Sequence, residues 1–304
     1  MSRVTFTLTV TDRSGQKATK TVDVQRRMLM GMSGLPGTEW QSYLVNFPNI
    51  LYTRDFGKDN IYQVNGVYDA DAYTEWTKWG TGKWVGAPVN MVNHLSVKDD
   101  ADEFLDQWAA SFPAQLPAGF RGIAASPWHE AEDDVRNGTI TWDWLRQQGR
   151  DIVAWRNRHP RGKQLIRAVG PILTRWDLVN LNNDPTNAGF EGMTHFFFDS
   201  YQSGTTDGRY YTPAEMIDAP AARIQAKYPG IPMGIPEFGF ALQSNLTNTN
   251  QARANAITAC VNRCRERGDF DFFSYFNSEG SIPSVPFTAS SPEGIAYKAL
   301  LANQ

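Results

Sequence analysis

Residues 122–132 read GIAASPWHEAE, and their order is typical of much of the chain. A short apolar run, Gly122–Ser126, is predicted to be a buried β-strand, and polar residues follow it at once. From Met28 onward, short apolar strands alternate with amphipathic stretches in the same way. This alternation predicts a parallel sheet with helices packed on it.

Eight segments fit the pattern of strands: Met28–Ser33, Ile50–Arg54, Pro88–Asn93, Gly122–Ser126, Gln164–Val169, His195–Ser200, Pro232–Pro236 and Phe270–Phe276. Six segments fit helices: Ala70–Lys78, Asp100–Ser111, Trp142–Arg158, Pro213–Lys227, Thr249–Arg267 and Pro292–Ala302. Because eight parallel strands close a (β/α)8 barrel, we predict this α/β fold, the TIM barrel, for residues 28–304. The alternative is a doubly wound open sheet, but no GxGxxG or P-loop sequence follows the first strand.

The first 27 residues form a separate predicted unit. Apolar residues between Val4 and Val10 alternate with threonines, and the turn DRSG, Asp12–Gly15, precedes a second alternating run. This pattern predicts a β-hairpin. The segment VTFTLTVTDRSGQKATKTVDVQ, Val4–Gln25, resembles the last two strands of a polycystic-kidney-disease-type, immunoglobulin-like domain. The resemblance implies a remnant of such a module within a larger multidomain chain.

The composition narrows the range of partners. The 304 residues carry 29 Lys and Arg against 32 Asp and Glu, and this near-neutral balance argues against nucleic acid or anionic membrane as a partner. No apolar run of about 18 residues predicts a membrane span, and no signal peptide is expected at the start. Ten Trp contribute to an aromatic content of 12%, which fits either a Trp-rich core or a site that stacks on sugar rings.

Two glutamates follow strands at corresponding positions. The fourth predicted strand ends in SPWHEAE, which places His129 and Glu130 at the carboxyl end of the sheet, and the seventh ends in GIPEFGF, which places Glu237 there. In a barrel these ends form the active-site face, and strands four and seven lie on roughly opposite sides. Paired carboxylates are what cleavage of a glycosidic bond needs. Each Glu taken alone is more often a solvated loop residue or a helix-capping group than a catalytic acid.

Other chemistries have little support in the sequence. The four His never form an HxH or HExxH pattern, so no metal site and no cofactor are predicted. No GxSxG sequence occurs, and Cys260 and Cys264 lie at helical spacing among apolar residues, which predicts two buried thiols. An isomerase of the barrel type is disfavoured because no phosphate-binding glycine loop follows strands seven and eight.

The sequence HE after strand four and PEFG after strand seven resemble glycoside hydrolase family 26, in the retaining clan of (β/α)8 barrels. The resemblance implies that Glu130 is the acid/base and Glu237 the nucleophile, with carboxyl groups about 5–5.5 Å apart. It further implies that His129 lies near the nucleophile or the sugar 2-hydroxyl, that Tyr201 holds the nucleophile, and that His94 lines the pocket. The implied activity is retaining endo-hydrolysis of a β-linked polysaccharide, mannan by family default.

Two departures from that family fall in the substrate cleft. The segment EDDVRNGTI, Glu132–Ile140, intervenes before Trp142 and Trp144, and the eighth strand ends in SYFNSEG, Ser274–Gly280, without the Trp that usually lies under the sugar. The sequence therefore does not identify the sugar that the protein recognises. The alternative function is a carbohydrate-binding or structural barrel without turnover, on a virion or a cell surface. The two resemblances together favour an extracellular or virion-associated setting.

Further candidates for substrate binding lie at predicted strand ends and loops. They are Trp128, Trp79, Trp84, Trp176, Arg54 and Asp199. Each Trp fits sugar stacking or core packing, Arg54 fits orientation of the nucleophile or an ion pair with Asp55, and Asp199 fits a substrate contact or a turn. Because side chains alternate along a strand, His129 points away from Trp128 and Glu130 unless the strand ends before it.

Overall fold

The computed structural model describes residues 3–25, 28–34, 46–47, 49–50, 52–55, 63–64, 67–68, 89–92, 101–112, 114–116, 121–179, 185–203, 208–243, 246–277 and 286–303. The strands are β1 Arg3–Thr11, β2 Lys17–Gln25, β3 Leu29–Gly34, β4 Tyr52–Asp55, β5 Gln63–Val64, β6 Val67–Tyr68, β7 Val89–Val92, β8 Ile123–Ala125, β9 Ile166–Val169, β10 Ile172–Thr174, β11 Phe196–Gln202, β12 Met233–Phe240 and β13 Phe270–Phe276. The helices are α1 Ala101–Ser111, α2 Ala131–Arg136, α3 Trp142–Arg158, α4 Gly162–Leu165, α5 Arg175–Val179, α6 Ala219–Lys227, α7 Thr249–Arg267 and α8 Pro292–Ala302.

The main sheet is parallel, as the alternation of strands and helices predicts. Its nine described strands run in the order β10–β11–β12–β13–β3–β4–β7–β8–β9, and every adjacent pair is parallel. Each of the eight predicted strands is present within a few residues of its predicted bounds. The α/β fold is therefore confirmed.

The expectation of eight strands in a ring is met only in part, because a strand that was not predicted, β10, follows the fifth predicted strand after Gly170 and Pro171. Strand β9 pairs with β8 and strand β10 pairs with β11, so that β9 and β10 are the two end strands of the sheet. The backbone N–H of Gly170 donates to Ala125 O at 3.1 Å, and that of Phe197 donates to Pro171 O at 3.0 Å. A Cβ at position 170 would lie 2.4 Å from a backbone oxygen, so only glycine fits.

The side chains on one face of the sheet pack against one another. The interior cluster consists of Leu29, Ala124, Ala168, Ile172, Phe197 and Phe272, from six different strands. Small side chains stand beside two phenylalanines, and Gly234 leaves room for the ring of Phe272. The other face meets the helices through the outer cluster, whose members include Ile235, Phe238, Ile257, Val261 and Leu300. Burial of apolar surface on both faces stabilises the sheet.

Several helix bounds follow from local capping. Trp142–Arg158, Thr249–Arg267 and Pro292–Ala302 are present with the predicted bounds. Thr141 Oγ1 accepts from Trp144 N at 3.1 Å at the start of α3, and Gly268 adopts φ 69° after the end of α7. Cys260 and Cys264 are buried in α7, as predicted, and burial raises the pKa of both thiols.

Other predicted bounds were wrong. The predicted strand at Gln164 begins at Ile166, because residues 162–165 form the short helix α4. The predicted helix over residues 213–227 is divided into a π-helical part, Ala214–Asp218, and α6. The predicted helix at Ala70–Lys78 lies outside the described residues. No described helix is both long enough and apolar enough to cross a membrane.

The N-terminal strands β1 and β2 pair antiparallel, with Arg3 opposite Gln25 and Thr11 opposite Lys17. The turn between them follows from its residues. Asp12 Oδ1 accepts from Ser14 N at 2.8 Å and Gln16 N at 2.9 Å, and Gly15 adopts φ 85°. Such bonds from an aspartate to its own turn, together with a glycine in the left-handed region, are common in tight turns. Assignment of the hairpin to an immunoglobulin-like module stays a prediction.

Candidate active site

Glu237 owes its direction to an irregularity in β12. Ile235 and Phe238 both pack in the outer cluster although they are three residues apart, and the register with β13 shifts between them. In a regular strand, residues two apart share a face, so Glu237 would point toward the helices with Ile235. The irregularity instead turns its carboxylate away from the helices, and 5% of the side chain is exposed.

The neighbouring strand β11 supplies two contacts to Glu237. The hydroxyl of Tyr201 donates to Glu237 Oε2, and the backbone N–H of Glu237 donates to Asp199 Oδ1 at 2.9 Å. Asp199 and Tyr201 are two residues apart and therefore lie on the same face of β11. Asp199, which the sequence left between a substrate contact and a turn, is buried and holds the backbone of Glu237.

On the opposite part of the sheet, β8 ends at Ala125, and the chain turns before His129. Ser126 Oγ donates to Trp128 O at 2.7 Å, and Glu130 adopts φ 43° and ψ 58°, a left-handed conformation that is rare for this residue. Helix α2 begins at the next residue. Because the strand has ended, alternation no longer applies, and His129 is not directed away from Glu130.

His129 lies between the three carboxylates. Its Nε2 is 3.7 Å from Glu130 Oε2 and 3.9 Å from Glu237 Oε1, and its Nδ1 is 3.5 Å from Asp199 Oδ2. The structure thus brings together Glu130, Glu237, His129, Tyr201 and Asp199 from three separated segments. The side chain of Glu130 is 29% exposed, against 5% for Glu237, so that the two acids occupy different environments.

The same cluster contains a possible set of metal donors. One ligand atom each from His129, Asp199 and Glu237 lie within 4.8 Å of one another. Tetrahedral ligands at about 2.0–2.1 Å from zinc would be about 3.4 Å apart, a tighter set. Moreover, the short contacts to Asp199 and Glu237 use opposite ring nitrogens, and one ion binds only one of them. The spacing fits a hydrogen-bond and charge network better than a metal centre.

Three polar contacts near the site were missed by reasoning from the sequence. Glu132 Oε1 accepts from Thr174 N at 2.6 Å, and Asp177 accepts from Thr174 Oγ1 at 3.0 Å. The buried guanidinium of Arg175 donates to Tyr201 O, with Nη2 at 3.1 Å. Asp177 is three residues from Thr174, but the partners of Glu132 and Arg175 are 42 and 26 residues away in the chain, and only the strand ends of the sheet bring them together.

The pKa values of two of these groups are shifted by burial. Loss of hydration raises the pKa of Glu132 to about 7, although the hydrogen bond from the Thr174 backbone acts in the opposite direction. Burial also lowers the pKa of the Arg175 guanidinium. A carboxyl that titrates near neutral pH, two residues from Glu130, adds a third acid to this part of the molecule.

The remaining predicted binding residues have mixed outcomes. Trp176 is 64% exposed on α5, whereas Trp128 is half-buried, with Nε1 donating to Asp134 Oδ2 at 2.8 Å and its ring edge-on to Trp144. Trp128 therefore supports the Glu130 turn through packing. Arg54 lies in β4. The predicted residues His94, Trp79 and Trp84 lie outside the described residues.

His195 lies at the other end of the sheet, directly before β11. Its Nε2 is 2.7 Å from Asp271 Oδ2, and its Nδ1 is 3.0 Å from Thr194 Oγ1. Thr194 and His195 directly precede β11, and Asp271 is the second residue of β13. These residues are therefore at the amino ends of the strands, whereas Glu237 lies toward the carboxyl ends. His195 thus joins two strands at the amino end of the sheet.

Comparison with known proteins gives similarity in structure without similarity in sequence. No protein-family profile matches the chain, and no curated protein does. Among solved structures, a glucosidase from Croceicoccus marinus superimposes with a TM-score of 0.59 at 11% identity, over 91% of this chain and 66% of that one, just under two thirds. A GH128 (subgroup I) endo-β-1,3-glucanase from Amycolatopsis mediterranei gives 0.53 at 11% identity, over 90% and 100% of the two chains. The endo-β-1,4-glucanase Xac0029 from Xanthomonas axonopodis pv. citri gives 0.55 at 9% identity, over 91% and 99%.

At 9–11% identity, these similarities concern the fold. They extend over about nine tenths of this chain and include enzymes of different substrate preference. The chain therefore shares its α/β fold with a set of glycoside-cleaving enzymes.

Proposed function

We propose that the protein is a retaining glycoside hydrolase that cleaves a β-linked polysaccharide with Glu237 and Glu130. The observation that carries the proposal is the position of His129, which contacts both carboxylates through the same ring nitrogen. Two glutamates from separate strand ends thereby face one site, as cleavage of a glycosidic bond requires. The shared fold with glycoside-cleaving enzymes supports the same reaction class.

Glu237 is assigned the role of nucleophile. Tyr201 donates a hydrogen bond to one carboxylate oxygen, Oε2, and Asp199 holds the backbone at the same residue. These contacts direct the other oxygen, Oε1, toward His129 and the site. A nucleophile must be held in one orientation against the anomeric carbon, since positioning contributes much of the rate.

Glu130 is assigned the role of acid and base because it is the more exposed of the two. In the first step, Glu130 gives its proton to the glycosidic oxygen while Glu237 attacks the anomeric carbon and the leaving sugar departs. In the second step, Glu130 takes a proton from water, which attacks the same carbon and releases Glu237. His129 lies where it can hold the two acids apart and contact the sugar between them.

The stereochemical outcome follows from the separation of the carboxylates. Since both contact one ring nitrogen, their nearest oxygens are no more than about 8 Å apart, which admits the retaining spacing of about 5–5.5 Å. The resemblance to glycoside hydrolase family 26 favours retention. Proton NMR of the first product formed tests it: retention releases the β-anomer, and release of the α-anomer would contradict it.

For the substrate, we propose a β-linked polymer, with mannan first by the family resemblance and β-glucans next. The solved enzymes of similar fold include endo-β-1,3- and endo-β-1,4-glucanases. The exposed ring of Trp176 offers a surface on which a sugar can stack. A panel of plant and bacterial cell-wall polysaccharides, with reducing ends and product sizes measured, identifies the polymer and separates endo from exo action.

The central experiment compares E130Q and E237Q with E266Q, a substitution on an exposed part of α7. We expect both site variants to fold, by circular dichroism and melting temperature, and to lose at least about 10³-fold in kcat, whereas E266Q keeps wild-type activity. A small nucleophile such as azide should restore turnover in E237A by replacing the carboxylate. Wild-type kcat in either site variant would overturn the assignment.

The second candidate function is carbohydrate binding without turnover, and the exposure of Trp176 favours it. Binding of a polysaccharide in calorimetry, with no reducing ends released by the wild-type protein, would support this function over hydrolysis. Loss of that binding in W176A would identify the surface used.

Three structural expectations complete the proposal. We propose that the main sheet closes as a (β/α)8 barrel through Gly170 and Pro171, which join its two end strands. We also propose that β1 and β2 are the last strands of an immunoglobulin-like module, since Leu8 and Val10 expose apolar side chains that further strands would cover. An extracellular or virion setting follows from that module. The module assignment would be supported if residues 28–304 melted at a higher temperature when attached to a complete immunoglobulin-like module than with β1 and β2 alone.

A further inference from the structure

Glu132 is a buried acid that forms no ion pair with any cation among the residues that the structure describes. It lies in the first turn of α2 and is 3% exposed. Its Oε1 accepts from Thr174 N at 2.6 Å, with Thr174 Oγ1 at 3.4 Å. Its Oε2 is buried and has no hydrogen-bond partner among the residues that the structure describes. A buried oxygen of this kind calls for a specific explanation.

The Glu132 carboxyl accepts a hydrogen bond from Thr174 N that a neighbouring strand would otherwise accept. Strand β8 ends at Ala125, which pairs with Val169, so β8 offers no residue opposite Thr174 at the end of β10. A buried backbone N–H left without an acceptor is costly, and the Glu132 carboxyl supplies one. Helix α2 is thereby joined to the end of β10.

The same contact restrains the segment that carries Glu130. Only residues 126–130 separate β8 from α2, and Glu130 itself adopts the left-handed conformation at φ 43°. Such a conformation is strained for a residue other than glycine and persists only where surrounding contacts impose it. Glu132 provides one of those contacts, two residues beyond Glu130, and the bond from Trp128 to Asp134 provides another.

Two charges face Glu132 with opposite effects: Asp177 disfavours its ionised form, and Arg136 favours it. Asp177 faces it from α5, and Arg136 faces it from its own helix, where that guanidinium is already bonded to Asp177 at 3.0 Å and to Asp133. Burial raises the pKa of Glu132 to about 7, and Asp177 acts in the same direction. Above that pH, the folded site must hold a buried carboxylate beside another carboxylate.

We propose that Glu132 is a positioning residue: its protonated carboxyl anchors the Glu130 segment to the end of β10, and its ionisation releases that segment. The effect on turnover rests on the proposed glycosidase function, but the anchoring of the segment does not. The consequence for the enzyme is that a third carboxyl, outside the reacting pair, limits activity on the alkaline side.

The test uses E132Q, which keeps an oxygen for Thr174 N–H and cannot ionise. The pH profile of kcat is measured for the wild type, E132Q, E132A and the exposed control E191Q. We expect wild-type kcat to fall as the pH rises through about 7, and E132Q to stay active at higher pH. E132A should lose about 10- to 100-fold relative to the wild type below pH 7, because the anchor is gone, and this difference should shrink at higher pH, where the wild type releases its own anchor. E191Q should follow the wild type.

Hydrogen exchange of residues 126–136 at pH 6 and pH 8 decides the anchoring without any substrate. Comparison of wild type and E132Q at the same pH cancels the intrinsic rate. Faster exchange in the wild type at pH 8, absent from E132Q, supports the anchor, and equal exchange overturns it. A difference in exchange with an unchanged activity profile overturns the positioning role. Absence of turnover on every polysaccharide overturns the proposed function. Hydrogen exchange alone then tests whether Glu132 anchors the Glu130 segment.

Discussion

The hydroxyl of Tyr201 donates a hydrogen bond to Oε2 of Glu237, and the two residues come from adjacent parallel strands, β11 and β12. The pairing places Tyr201 opposite Gly239, beyond the irregular part of β12, so the phenol reaches back to the glutamate. A neutral donor on a buried carboxylate favours its ionised form and fixes its orientation.

The first prediction concerns this bond. Y201F should lower kcat by about 10- to 100-fold, because a hydrogen bond to a charged group is worth about 1.5–3 kcal/mol. Steady-state kinetics on the best polysaccharide measures it. Y210F is the control, since Tyr210 contacts Thr249 Oγ1 at 3.1 Å instead of the site. Equal losses in both variants would show that the effect is not specific to Glu237.

The second prediction concerns His129. H129N should lower kcat by about 10²-fold while the melting temperature changes little, because the ring contacts three carboxylates in a half-exposed position. H159N is the matched control: His159 stacks on Trp155 at 4.5 Å at the end of α3. Unchanged kcat in H129N would remove His129 from the site.

The third prediction separates stability from activity. D271A removes the partner of His195 at the amino end of the sheet and should lower the free energy of unfolding by about 1–3 kcal/mol. The kcat of the folded fraction should stay at the wild-type value. Chemical denaturation and kinetics measure the two quantities. D143A, on the exposed surface of α3, should change stability by less than about 0.5 kcal/mol. A kcat loss in D271A would contradict the assignment of this cluster to structure.

The fourth prediction concerns the inner packing of the sheet. A Cβ at Gly234 would lie 2.3 Å from the ring of Phe272, so G234A should lower the free energy of unfolding by about 1–3 kcal/mol. The double variant G234A/F272L should recover part of that loss, because the smaller side chain makes room. Additive losses in the double variant would contradict the contact.

Much of the fold could be predicted from local pattern. The bounds of α3 follow from Thr141 before it and the dipole-complementing arginines at its end, and α7 ends where Gly268 can turn. The short helix at residues 162–165 and the additional strand β10 after Gly170 and Pro171 could not be predicted, because apolar content alone does not separate a strand from a buried turn.

The candidate site could be predicted in part for a related reason. Glu130 follows β8, and Tyr201 and Glu237 lie toward the carboxyl ends of β11 and β12, which a parallel sheet brings together. The direction of His129 depended on where β8 ends, and that of Glu237 on an irregularity, and neither has a signature in the residues. Glu132 was missed because its partner, Thr174, is 42 residues away and contributes a backbone group.

The two-residue link between β9 and β10 has a consequence for solubility. A sheet normally exposes two edge strands, whose free backbone groups can recruit another chain and start aggregation. Here the first strand of the sheet and the last are consecutive in the chain, and Gly170 and Pro171 each take part in a backbone hydrogen bond with a neighbouring strand. The two end strands of the main sheet, β9 and β10, have only four and three residues, so each offers a short edge for intermolecular pairing.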